Sequence, residues 1–121
     1  MAILGDAVVK VDGTMLKTVE GSARLTPGGK KGTTRKGGGQ IHGRSVMTQE
    51  SKVTVDVLPD QDFDIEKIQN IDGATIEFAD ANGGPSWVIS NAWFIEMGEI
   101  EEGENSKVPV TFEGTPAQKV G

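Results

Sequence analysis

Ser51-Lys52-Val53-Thr54-Val55-Asp56-Val57-Leu58 decides the fold class. Valine takes alternate positions at 53, 55 and 57, and Thr54 and Asp56 fill the gaps. A period of two sends the valines to one face of a β-strand and the polar residues to the other. Pro59 stops the strand, because it has no N–H to give to a ladder.

Downstream of Pro59, residues 60–70 read as the one helix. Asp62 is its expected N-cap, and Ile65 and Ile68 lie three apart on one face. Acids crowd its first turn, where the helix dipole favours them. Ala74-Thr75-Ile76-Glu77-Phe78 alternates again, and Asn82-Gly83-Gly84 makes a turn. Trp87 to Ile95 is the longest apolar run and is expected to be the central strand. Strict alternation puts Trp87, Ile89, Trp93 and Ile95 on one face, and Val88, Ala92 and Phe94 on the other. Glu99 to Glu104 forms an acidic connection. Val108, Val110 and Phe112 face inward on the last strand, which Pro109 marks as an edge strand. Residues 115–121 read as a frayed tail.

Upstream, Val8-Val9-Lys10-Val11 and Met15-Leu16-Lys17-Thr18-Val19 flank Asp12-Gly13, a strong signal for a tight hairpin. Short strands are expected over Ser22–Thr26 and Ile41–Met47. Between them, residues 27–39 hold six glycines, four basic side chains and no large apolar one. Such a stretch buries too little surface to offset its ordering entropy, so a flexible loop is expected over about 27–40. Strands in series with one short helix argue for a mainly β fold, an antiparallel β-sandwich or barrel with a flanking α-helix and a long Gly/Lys-rich loop. The length of 121 residues fits a single domain spanning 1–121.

Net charge is −6, but it is polarised along the chain. Residues 1–52 carry nine Lys/Arg against four Asp/Glu, and residues 53–121 carry three against fourteen. The chain has no cysteine, so disulfides and thiolate metal sites are excluded. The opening Met1-Ala2-Ile3-Leu4-Gly5-Asp6 has neither the basic start nor the apolar length of a signal peptide, so none is expected. No apolar stretch nears the roughly 18 residues of a membrane span.

Catalytic constellations are absent from the sequence pattern. His42 is the sole histidine and has no cysteine or nucleophile-elbow sequence to work with. A zinc ligand set is not visible either. Gly29-Lys30-Lys31-Gly32-Thr33-Thr34 lacks the Gly-Lys-Ser/Thr order of a phosphate loop, and no helix follows it. Asp60-Gln61-Asp62-Phe63-Asp64 opens like a calcium loop, but Ile65 and Ile71 stand where Gly and Glu belong. Neither an enzymatic activity nor a cofactor is expected.

The basic loop leaves two readings. Lys30, Lys31, Arg35 and Lys36 could contact nucleic-acid phosphates, although the loop has no aromatic residue to stack on bases. Alternatively the loop orders against another copy of the chain, its cations meeting acids such as those of Glu99 to Glu104.

A series of short matches bears on the choice. Gly5-Asp6-Ala7-Val8-Val9-Lys10-Val11-Asp12-Gly13, Gly21-Ser22-Ala23, Pro27-Gly28-Gly29 and Ile41-His42-Gly43-Arg44 resemble the start of Mu-like phage tail tube proteins. The likeness continues through Asp62 to Asn70, Gly73-Ala74-Thr75, Asn82-Gly83-Gly84, Asn91-Ala92-Trp93 and Phe112-Glu113-Gly114. It covers about residues 5 to 114 in order; residues 30–39 depart from it by their excess of Gly and Lys. The resemblance implies an antiparallel β fold and a virion protein of hexameric rings stacked into a tube, assembled in the bacterial host cytoplasm. It implies sheath, tape-measure, baseplate and tail-terminator proteins as partners, with DNA passing unbound through the lumen and no membrane. It also implies that the loop bridges to the neighbouring ring through Arg24, Lys30, Lys31, Arg35, Lys36, His42 and Arg44. Asp80, Glu99, Glu101, Glu102 and Glu104 are then the candidate acidic partners or lumen residues. Deleting residues 28–38 is expected to leave a folded subunit unable to form long tubes.

Overall fold

The structure is a computed structural model that describes residues 3–120. Met1 and Ala2, where the chain-start reading falls, and Gly121, the end of the expected tail, lie outside the described residues.

Alternation at Ser51–Val57 does produce a strand (β6), with Val53, Val55 and Val57 buried and Lys52 exposed. The strands before it are β1 (Ala7–Val11), β2 (Thr14–Met15), β3 (Arg24–Thr26), β4 (Gly29–Gly37) and β5 (Gln40–Gln49). After it come helix α1 (Ile65–Gln69), β7 (Asp72–Asp80), β8 (Ser86–Met97), β9 (Val108–Gly114) and β10 (Gln118–Val120). The main sheet is antiparallel in the order β2-β1-β7-β8-β9-β6-β3. As expected, β8 is its middle strand. Asp12 and Gly13 take positive φ of 49° and 84°, the pair of left-handed residues a type I′ turn needs.

Residues 14–19 join the two ends of the sheet. Leu16 donates its N–H to Val9 of β1, and Val19 donates its own to Asp56 of β6. Leu58 returns a bond to Lys17, and Thr18 bridges Val57. The expected second strand of the first hairpin therefore stops at Met15, and its continuation serves the opposite edge. The core inside the curled sheet contains Val9, Val53, Val55, Ile76, Ile89, Val108, Val110 and Phe112, all at most 2% exposed. Burying each such side chain stabilises the fold by roughly 1.5–3 kcal/mol.

The structure corrects several expectations. Helix α1 begins at Ile65 because Asp64, not Asp62, caps it: the Asp64 carboxylate accepts the Lys67 N–H at 3.2 Å. On β8 the two faces exchange midway. Ala74 pairs with Ala92 and Ile76 with Ile89, so two steps along β7 match three along β8. This bulge puts Ile89, Ala92 and Phe94 toward the core and leaves Ile95 exposed. Strand β9 is not an edge strand, since it pairs with both β6 and β8. It tolerates Pro109 because the missing N–H falls where β8 ends. The Pro109 carbonyl accepts from Gly98 at 2.8 Å, so its ring nitrogen faces the same side, just past Met97. The expected frayed tail contains β10, whose Gln118–Val120 pair with Val88–Ser86 of β8.

Candidate assembly interface

The expected loop over about 27–40 is instead half of a β-hairpin. Strands β4 and β5 pair antiparallel from Gly29↔Gln49 to Gly37↔Gln40 and form a separate two-stranded sheet. Gly38 and Gly39, with φ of 60° and 77°, supply the two left-handed residues of the turn. At roughly 3.4 Å per residue the arm is about 30 Å long. All its side chains are exposed except at the base, where Gly29 and Gln49 are half-buried. Composition hid this arm, because Lys and Gly are depleted in ordinary strands. The usable signal was Gly38-Gly39 between runs holding Thr33, Thr34, Ile41 and Val46.

The register sorts the side chains. Lys30, Thr34, Lys36, Ile41, Arg44 and Val46 share one face; Lys31, Arg35 and Met47 share the other. A bulge at His42–Gly43 keeps Ile41 opposite Lys36, and the His42 Nε2 lies 3.1 Å from the Gly37 carbonyl oxygen. Ile41 is 77% exposed and Met47 69%. Residues 29–49 hold five Lys/Arg and no Asp/Glu, so a chain of net −6 leaves −11 elsewhere (−6 minus +5).

Six of the seven expected basic residues are thus on this arm; Arg24 is apart from them, exposed on β3. Among the expected acids, Glu99, Glu101, Glu102 and Glu104 are exposed in the connection between β8 and β9. Asp80 ends β7, where its carboxylate accepts the Asn82 N–H at 3.1 Å and shapes the turn. Within one chain these cations and acids do not meet. The ion pairs among the described residues are Lys17 with Asp60 and Asp62, at 2.6 and 3.2 Å, and Lys107 with Asp56 at 3.9 Å.

Lys17, Asp60 and Asp62 belong to a feature that the sequence reading missed. An apolar groove of about 410 Å³ runs between α1 and β2, walled by Met15, Leu16, Leu58, Phe63, Ile68 and Ile71. Asp60, Asp62, Asp64, Lys17 and Lys67 also line it. The hydrogen bond from Lys17 holds the Asp60 carboxyl below its ordinary value, opposed by partial desolvation. The hydrogen bonds to Asp60 and Asp62 raise the Lys17 ammonium in turn.

A surface for stacking bases is not assembled around the arm. Trp87 is half-buried and sits edge-on to Phe78 at 6.3 Å between ring centroids. Trp93 lines a shallow depression beside Asp72 and Asn70.

The comparisons with known proteins agree with this architecture. The family model described as phage tail tube protein matches residues 1–119. The Mu-like prophage FluMu tail tube protein of Haemophilus influenzae is 31% identical over 96 residues, covering 79% of each chain. The tail tube protein of Escherichia phage Mu is 29% identical over 106 residues, covering 86% of each. In fold, the chain is similar to the anti-feeding prophage tube-terminating cap, with a TM-score of 0.69 at 11% identity over 99% of this chain and 92% of that one. It is also similar to the PVC sheath/tube terminator of an extracellular contractile injection system. There the TM-score is 0.65 at 14% identity, over 100% and 97% of the two chains.

Proposed function

This chain belongs to the phage tail tube protein family, a structural rather than enzymatic family of virion components, and from that premise we propose that it forms hexameric rings that stack into the inner tube of a contractile tail. The observation that carries the reading is the solvent-exposed β4–β5 arm. A two-stranded hairpin with no core beneath it is marginally stable in water. Ile41, Val46 and Met47 stand exposed on it among five cations. An arm of that kind gains its order from a partner, and the acidic remainder of a second copy supplies opposite charge.

Within a ring, β2, β3 and β10, each paired with one strand among the described residues, offer edges along which the sheet of one subunit continues into the next. Between rings, the arm carries Lys30, Lys31, Arg35, Lys36, His42 and Arg44 to the neighbour. Asp80 and the glutamates at 99, 101, 102 and 104 then serve as acidic partners or as part of a lumen wall. A negative wall repels DNA phosphates and lets the genome slide through during ejection. Sheath, tape-measure, baseplate and terminator proteins complete the assembly, which takes place in the bacterial host cytoplasm.

The test is negative-stain electron microscopy of the purified protein beside a variant without the arm. Deleting residues 28–38 would strand β5 unpaired, so the better variant replaces residues 30–48 with Asn-Gly between the paired Gly29 and Gln49. The intact chain is expected to form rings and hollow tubes, and the variant to stay folded without forming long tubes. Tubes of normal length from the variant would remove the arm from the mechanism. An intact chain that never assembles, with or without a tail nucleus, would overturn the reading itself.

A further inference from the structure

The arm and the groove sit at opposite ends of one strand. The arm joins β6 at Ser51 through Glu50, and the groove is lined by Val57 and Leu58 at the other end. Six steps of β-strand separate them, about 20 Å at roughly 3.3 Å per residue. A knob at one pole and a hollow at the other make a heterologous pair. Such contacts repeat head to tail without closing, as a growing stack requires.

The two surfaces also match in chemistry. Near the arm's turn, Ile41 lies directly across from Lys36, with Arg44 on the same face. That face is an apolar knob between two cations. The groove offers an apolar floor in which Met15 is 60% exposed and Leu58 40%. Its lining carries Asp12, Asp60, Asp62 and Asp64 against Lys17 and Lys67, a net charge of −2 (four acids, two cations). The connection at Glu99 to Glu104 is acidic too, but it lines neither this groove nor the depression beside Trp93.

We infer that the groove between α1 and β2 is the socket for the β4–β5 arm of a second copy in the next ring, with Ile41 seated on Met15 and Leu58, and Lys36 and Arg44 facing Asp62 and Asp64. This rests on the stacked-ring reading and names the surface that receives the arm.

The lack of native cysteine allows a direct test. An Ile41→Cys chain is mixed with a size-tagged Met15→Cys chain, assembled into tubes and oxidised. A parallel mixture pairs Ile41→Cys with a size-tagged Ile100→Cys chain, which samples the acidic connection. Disulfides require Cβ atoms about 3.5–4.5 Å apart, so only a seated arm cross-links efficiently. The expected result is that the Ile41→Cys and Met15→Cys chains give a mixed disulfide dimer as the dominant product. That dimer forms in tubes and is lost when assembly is prevented by replacing residues 30–48 in the Met15→Cys chain and supplying the Ile41→Cys chain below its assembly concentration. Tubes that cross-link the Ile41→Cys and Ile100→Cys chains instead, or that give neither mixed dimer, overturn the socket and leave the tube intact. Wild-type protein that forms no tubes under any condition overturns the stacked-ring reading, and the socket with it.

Discussion

Phe112 is fully buried on β9 and meets Phe94 edge-on at 6.3 Å between ring centroids. Its truncation, Phe112→Ala, is expected to cost about 3–5 kcal/mol in urea unfolding, because a cavity remains that the sheet is too constrained to fill. Gly114 fails in the opposite direction. A Cβ there would come within 2.5 Å of the Asn91 carbonyl oxygen and 2.7 Å of the Ile89 side chain. Gly114→Ala is therefore expected to destabilise by about 1–3 kcal/mol in the same assay, through overpacking against backbone. The Lys17–Asp60 pair has a pH signature. The folded pKa of Asp60 lies below its ordinary 3.8, so its contribution is present above that value and is lost as pH falls through the lowered one. The folded pKa of Lys17 lies above 10.5, so its contribution is present below 10.5 and is lost as pH rises through the raised value. The stability gap between wild type and Lys17→Met is expected to be flat between about pH 5 and pH 9 and to close at both extremes. A gap that stayed undiminished once Asp60 is protonated would mean that the Lys17 charge is not its source. Both groups are solvent-exposed, so the gap is small.

At the scale of elements, the arm is held at its base by Gly28. This residue has φ of 73°, and a Cβ on it would lie 2.6 Å from the backbone of Glu50. Gly28→Ala is expected to loosen residues 30–48 while leaving the core intact. Amide exchange would then quicken along β4 and β5 and stay slow at Val53, Val55 and Val110. Uniform acceleration everywhere would show instead that the arm and body unfold together. The arm also shows what could be read locally. Its turn is written in Gly38-Gly39, yet its strands carry Lys and Gly where Val and Ile are usual. The expectation of a loop followed from counting burial, and these strands bury almost nothing in the single chain. Their ladder bonds come from backbone partners on the opposite strand, as far apart in sequence as Gly29 and Gln49, which composition does not report. The capping of α1 has the same character: acids stand at 60, 62, 64 and 66, and geometry picks Asp64.

For the whole molecule, charge separation is the governing quantity. An arm of +5 and a remainder of −11 attract between copies. Raising salt from about 0.1 M to about 1 M shortens the Debye length from about 10 Å to about 3 Å. Tube growth followed by light scattering is expected to slow steeply over that range. Growth independent of salt would place the driving force in apolar contacts and sheet continuation alone. Of the assembly surfaces, the basic arm was visible in the sequence as a charged, glycine-rich stretch. The groove was not, because its walls come from residues 11–17, 57–64 and 67–71, which only the curl of the sheet brings side by side.

The sequence by itself determined the β class, the type I′ turn at Asp12-Gly13, the middle position of β8 and the polarity of charge. Each of these follows from local alternation, from turn chemistry or from a sum over residues, so no knowledge of distant neighbours is needed. Tertiary structure alone decided that β8 swaps faces between Ile89 and Ala92, that β9 is interior despite Pro109, and that Lys17 to Val19 close onto β6. It also decided that the arm and the groove lie at opposite ends of β6. Those outcomes depend on which backbone groups find partners across long sequence separations. A bulge or an edge exists only relative to the strand beside it.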